Sequence, residues 1–253
     1  MQRLRIHYAK RGRLRFSSHR DFARAFERAL RRAGVPMAFS AGFSPHPKIS
    51  YVGAAPTGVA SEAEYVEIAV TRPLDPAELR AALDEALPEG LDVVDVVEAS
   101  SGSLADRVDA SIWRIELVGV SVNQLGAAVA TFLAAESVWV QRVLKDGVRT
   151  LDARAPVVAA GVEEGRTRPP EDGIEPICAI LDLVVRHTTP AVRPDDVLVG
   201  LRQVAGLVPP VSPSVTRLAQ GRLDASTGRI ADPLAADRDA ARVAGVVGAP
   251  LPR

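Results

Sequence analysis

Two groups of residues within the first fifty carry side chains suited to chemistry. One is the heptapeptide Gly42-Phe43-Ser44-Pro45-His46-Pro47-Lys48; the other is the series Arg20, Arg24, Arg28, Arg31 and Arg32. The prolines on either side of His46 fix the backbone φ around it, and Pro47 pushes His46 toward extended geometry. A rigid loop that presents one imidazole and one ammonium suits ligand binding or proton transfer. One titratable residue is not a catalytic constellation, and a structural turn whose histidine bonds a carbonyl has the same sequence. Each arginine offers a fork for bidentate contact with phosphate. Charge runs are ordinarily solvated faces, but here only Glu27 stands at i,i+4 spacing, to Arg31.

His19 lies beside Ser17 and Ser18 at a predicted helix start, where free N–H groups favour an anion. A phosphate held there with Arg20 is chemically reasonable; a plain helix-start residue is the simpler reading. His7 and His187 have no partner in sequence. Cys178, within Ile-Cys-Ala-Ile-Leu, reads as a small buried hydrophobe. Glu62, Glu64 and Glu67 flank a strand and read as solvated. Phosphate-loop, dinucleotide-fingerprint, nucleophile-elbow and zinc-helix motifs are absent, as is an iron–sulfur cysteine triplet. No metal and no cofactor are expected.

Charge is distributed unevenly. The first fifty residues hold twelve Lys/Arg against Asp21 and Glu27, a net +10, and the other 203 hold 19 bases and 29 acids, a net −10. A neutral chain is thereby divided into a cationic head and an anionic body, a field that draws a polyanion or acidic surface to one end. Apolar and charged fractions of 47% and 25% are those of a globular protein, and one cysteine fits a reducing cytoplasm. No basic-then-apolar leader and no long apolar run occur, so no membrane partner is expected.

The elements that must position these groups follow from periodicity. Residues 3–8 alternate as a strand with Leu4, Ile6 and Tyr8 inward; Arg3, Arg5, Arg13 and Arg15 then share the outward face, with Leu14 and Phe16 continuing the alternation. Ser18 and Asp21 form a capping-box pattern ahead of a helix that buries Phe22, Ala25, Phe26, Ala29 and Ala33 and ends at Gly34 and Pro36. Residues 37–61 read as an ordered loop with a short strand near 49–52, followed by a strand at 65–70, a helix at 76–87 and a strand at 91–97. The second half repeats the order: strand 112–118, helix 122–135, strands 137–144 and 178–187, helix 194–204 and strand 211–219. The expected fold is α+β, two tandem ferredoxin-like (β-α-β-β-α-β) units with antiparallel sheets. The boundaries are 1–100 and 110–223, with a polar insertion at 161–176 and a flexible tail at 224–253.

The run Arg13-Leu14-Arg15-Phe16-Ser17-Ser18-His19, then Asp21, Phe26-Glu27-Arg28-Ala29-Leu30-Arg31-Arg32-Ala33-Gly34 and the Gly42–Ser50 segment, with Pro56, Gly58, Glu62 and Glu64-Tyr65, resembles the radical-SAM-associated protein family. The resemblance is dense over 3–100 and implies a B12-binding-type radical SAM protein as partner. Family neighbourhoods with ribonuclease E/G-type and ribosomal protein genes further imply tRNA or rRNA. The tandem order also resembles the repeat-associated RNA-processing proteins of CRISPR systems, without their glycine-rich C-terminal loop.

Together these readings lead to an RNA-binding or substrate-presenting accessory protein without catalysis of its own. Arg20, Arg24, Arg28, Arg31 and Lys48 are expected on phosphates, with Arg3 and Arg5 nearby, and Phe43, His46 and Tyr51 on a nucleotide. A metal-independent RNA-processing enzyme using His46 and His19 is a second expectation. A docking adaptor for the radical SAM partner, without RNA, is a third.

Overall fold

The computed structural model describes residues 1–144, 147–165 and 177–247. It is a mixed α/β structure with mostly antiparallel sheet, and the chain divides into two units, 1–108 with 231–253, and 109–230.

Unit 1 begins with β1 (Gln2–Lys10), α1 (His19–Arg32), β2 (Ile49–Val52), β3 (Ala60–Val70), α2 (Pro76–Ala86) and β4 (Leu91–Glu98). Its strands lie in the order β4-β1-β3-β2, and every neighbouring pair is antiparallel. Leu4, Ile6 and Tyr8 of β1 and Val66, Ile68 and Val70 of β3 point to one face, where they pack with Phe22, Phe26 and Leu30 of α1 and Leu79 and Leu83 of α2. Burial of each such side chain contributes about 1.5–3 kcal/mol, so this layer fixes α1 on the sheet with its other face outward. The alternation does not run on past Lys10: Gly12, with φ of 55°, opens a 3-10 turn over Gly12–Phe16. Arg13 and Arg15 therefore do not share the strand face of Arg3 and Arg5.

Unit 2 holds β5 (Ala110–Val118), α3 (Val122–Ala134), β6 (Trp139–Leu144), β7 (Gly147–Asp152), β8 (Val157–Glu164), β9 (Cys178–Arg186), α4 (Pro194–Ala205) and β10 (Ser214–Leu223). The sheet order is β10-β5-β9-β8, antiparallel throughout. The strand expected at 137–144 is not in this sheet. It pairs with β7 as a separate two-stranded ribbon, and β8 takes the place beside β9. Val140 and Leu151 are buried on the inner face of the ribbon, where Arg142 is bonded to Asp196 of α4. The expected insertion is thus shorter: Gly161–Glu164 belong to β8, and 166–176 lie outside the described residues.

The segment after 224 is not a loose tail over its described length. It forms α5 (Ala235–Val247) and belongs to unit 1. Leu234, fully buried, packs with Val52, Ala63, Tyr65, Val97 and Leu104 on the face of the first sheet opposite α1 and α2. Among the described residues no helix is long and apolar enough to cross a membrane.

Candidate functional site

The outer face of α1 is the first component. Ser18 accepts the N–H of Asp21, and Asp21 in turn accepts the N–H and hydroxyl of Ser18, so both ends of the capping box are closed. These bonds, the Ser18 hydroxyl first, hold the Asp21 carboxyl below its ordinary range. At the helix start the N–H groups of Ser18 and Asp21 are therefore already engaged within the capping box. Arg20, Arg24, Arg28 and Arg31 are all exposed. At about 1.5 Å rise per residue they form a stripe roughly 16 Å long on one side of the helix. Arg31 reaches Glu27 at 3.9 Å; Arg20, Arg24 and Arg28 have no acidic side chain within salt-bridge distance among the described residues. Arg32 departs from the stripe and donates to the Ala86 carbonyl at the end of α2.

The loop before β2 is the second component. The Ala38 N–H donates to Ala69 O of β3, and the Lys48 N–H donates to Ala38 O, each at 2.8 Å. Ser40 N–H donates to His46 O at 2.9 Å, His46 N–H donates to Ser40 Oγ at 3.0 Å, and Phe39 bridges Pro47. Residues 38–48 thus form a hairpin anchored on β3. Pro45 and Pro47 have no N–H to give, which leaves His46 as the donor that closes the tip. Gly42, with φ of 124°, makes a turn that a residue with a side chain rarely adopts. Phe43 at the tip is fully exposed, and His46 and Lys48 are exposed.

Two expected residues lie elsewhere. Arg5 is 0% exposed. Its guanidinium donates to Glu67 at 2.8 Å, to both oxygens of Asp237 at 2.9 Å, and to Gly102 O. It cannot meet a phosphate while α5 is docked. The alternation correctly put Arg5 on the face away from the main core, but α5 covers that face. Arg3 is partly exposed and pairs with Glu67 at 3.3 Å. Tyr51 is not an open stacking platform. Its ring packs edge-on to His19, Phe22 and Phe26, and its hydroxyl is buried without a partner among the described residues. Burial, aided by the charge of Glu27, pushes the Tyr51 phenol up to about 12.

His19 and His46 are not brought together by any hydrogen bond or ring contact. His19 sits edge-on to Tyr51, and His46 is at the hairpin tip. A cleft of about 10 Å³ beside His19 is lined by Tyr8, Lys10, Ser17 and Glu64, room for one water at most. Lys10 donates to the carbonyls of Ala55 and Pro56, and Glu64 accepts the Ala55 N–H, so both hold the 54–56 segment. Glu62 and Glu67 are likewise engaged rather than solvated, Glu62 with Arg11. In unit 2, His187 Nε2 lies 2.7 Å from Ser111 Oγ, a pair the sequence did not suggest. Ser111 is 0% exposed, so this is a pin between β5 and the residue that follows β9, and not a nucleophile. Cys178 is buried, and burial, then Glu116, raises its thiol pKa. Among the described residues no cluster of three His, Cys, Asp or Glu could hold a metal.

One surface pair escaped sequence reading. Arg15 stacks on the exposed Phe16 ring with 4.7 Å between the guanidinium carbon and the ring centroid. Gly12, inside the alternation expected to continue through Leu14 and Phe16, was the signal that the strand ends there.

The fold and site define a mixed α/β protein with an exposed arginine helix and an aromatic-tipped hairpin in its first unit. The chain belongs to the family described as uncharacterized protein conserved in bacteria (DUF2344), whose model matches residues 3–194. No curated protein matches it. Solved structures similar to it include a DypB variant in complex with manganese, at 12% identity, 81% and 84% coverage of this chain and that one, and a TM-score of 0.22. Another is CRISPR endoribonuclease Cse3 bound to a 19-nucleotide RNA, at 12% identity, 85% and 99% coverage, and a TM-score of 0.17. At these scores neither likeness carries an argument about this chain.

Proposed function

We propose that this protein is an RNA-binding, substrate-presenting accessory of a B12-binding-type radical SAM enzyme that acts on tRNA or rRNA. The observation that carries the reading is the α1 stripe. Other bases of the head are neutralised within unit 1, Arg5 by Asp237 and Glu67 and Arg11 by Glu62 and Asp92, while Arg20, Arg24 and Arg28 form no ion pair among the described residues. Uncompensated arginines on one rigid helix form a phosphate-binding surface. The hairpin adds Phe43 and His46, an exposed ring and an imidazole that suit stacking on an unpaired base and bonding to its edge. Lys48, at the foot of that hairpin, supplies a further cation.

We read the units as tandem ferredoxin-like folds. The order β-α-β-β-α-β with β4-β1-β3-β2 in unit 1, and the same order in unit 2 once the β6–β7 ribbon is set aside, supports that reading. The radical SAM partner and the RNA rest on the sequence resemblance, and the cytoplasm as the site of action on the single free cysteine.

The test is co-purification from cells of the wild type and of an Arg24→Glu/Arg28→Glu/Arg31→Glu variant, with and without nuclease. Bound RNA with the wild type and none with the variant is the expected result. A radical SAM protein retained by the wild type after nuclease, with no RNA bound before it, would make the stripe a protein-docking face instead.

A further inference from the structure

The first sheet carries an aromatic pair that the arginine surface does not use. His7 on β1 and Tyr65 on β3 are direct cross-strand partners, with rings 4.8 Å apart and 22° from parallel. They stand on the two central strands, on the face opposite α1 and α2. Arg5 and Arg3 lie further along the same face of β1, opposite Glu67 and Ala69. An antiparallel four-stranded sheet with rings at its centre and cations beside them is a surface on which unpaired bases stack and phosphates pair.

Here α5 and Leu234 just before it, together with Leu104, cover that surface. Leu234 packs on Tyr65, and Arg238 bonds Asp95, the β4 residue opposite His7. Asp237 is the hub: its carboxylate accepts from Arg5, from Arg107 Nη1 at 2.8 Å, and from the N–H and hydroxyl of Ser100. Two guanidinium groups converging on one buried anion are an arrangement that a phosphate could take over. The attachment is also narrow. From Leu234 to Val243, only Leu234 and Asp237 are buried.

We infer that α5 is an autoinhibitory strap, with Asp237 standing in for a phosphate on Arg5 and Arg107, and that single-stranded RNA displacing it binds the uncovered His7–Tyr65 sheet face. The inference rests on the proposed reading in one respect, that RNA is the ligand. It adds a second surface, closed in the structure described here, and it assigns the C-terminal helix a regulatory task.

The experiment uses the full chain and oligouridine as probe. Asp237→Lys releases the hub, and Asp239→Lys makes the same charge change at an exposed position of α5, 72% accessible. Hydrogen exchange reports whether the α5 amides lose protection. The expected result is loss of protection and roughly tenfold or greater tightening for Asp237→Lys over Asp239→Lys, the scale of one stacked base. Tyr65→Ala added to Asp237→Lys should reverse the gain. Should Asp237→Lys fail to fold, Leu234→Ser, which changes no charge, should give the same release and the same gain. Affinity equal to that of Asp239→Lys with α5 released, or α5 still protected, overturns the inference. Failure of the arginine-stripe reading is separable, because it shows as wild-type binding indifferent to the α1 substitutions.

Discussion

Phe43 and His46 stand at the tip of the 38–48 hairpin, exposed, and among the described residues neither side chain takes part in a hydrogen bond; His46 is held through its N–H to Ser40 Oγ. Replacing either by alanine should change folding stability by no more than about 0.5 kcal/mol. Under the RNA reading Phe43→Ala should weaken RNA binding by about 1–3 kcal/mol, measurable by titration with labelled RNA. Tyr51 behaves in the opposite way, because its hydroxyl is buried without a partner among the described residues. Tyr51→Phe removes an unsatisfied polar atom and keeps the ring against Phe22 and Phe26, so denaturant unfolding should show a gain of about 1 kcal/mol. A loss of that size would mean that the hydroxyl has a partner in solution. The exposure of Arg20, Arg24, Arg28 and Arg31 was legible in the sequence, because a helical stripe of cations has one stable orientation over an apolar core. The burial of Arg5 was not legible, because Asp237, the carboxylate of α5 that it meets beside Glu67, is 232 residues away.

At the scale of elements, helices with a polar start signal and an apolar stripe were readable to within a residue or two. Ser18 with Asp21 marks the start of α1, Asp75-Pro76 that of α2 and Pro194 that of α4. The ribbon β6–β7 and strand β8 were not separable in sequence: both are short, and Val157–Glu164 contains Gly161 and few residues that alternate cleanly. Nor was the docking of α5, an Ala-rich helix held through Leu234 just before it, Asp237, and the Arg238–Asp95 ion pair. Close helix packing supplies a prediction here. A Cβ at Gly200 of α4 would lie 2.8 Å from the Phe132 ring of α3. Gly200→Ala should therefore lower stability by about 1–3 kcal/mol in thermal or denaturant unfolding, despite the better helix propensity of alanine. Gly126, on an open stretch of α3, is the matched control, and Gly126→Ala should stabilise.

Over the whole molecule, the C-terminal helix closes on the first strand through one buried ionic hub. Burial alone would raise the Asp237 carboxyl pKa; bonds from Ser100 and Arg5, and the charge of Arg5, outweigh it and hold the carboxyl below its ordinary range. A lowered folded pKa contributes stability that is present above the ordinary value near 4 and is lost as pH falls through the folded value. Protection of the α5 amides should therefore hold from neutrality to about pH 4 and decline below it. Asp237→Leu, which leaves Arg5 and Arg107 without that carboxylate, should cost about 3–5 kcal/mol if α5 remains docked, and less if the helix is released. The central claim concerns the opposite face of unit 1, where Arg20, Arg24 and Arg28 of α1 have no ion-pair partner among the described residues. The most direct measurement is the dependence of RNA affinity on salt for the wild type and the Arg24→Glu/Arg28→Glu/Arg31→Glu variant. Three lost phosphate contacts predict a log–log slope shallower by about 2 in the variant, with weaker binding at every salt concentration. Equal slopes and equal affinities would contradict the account.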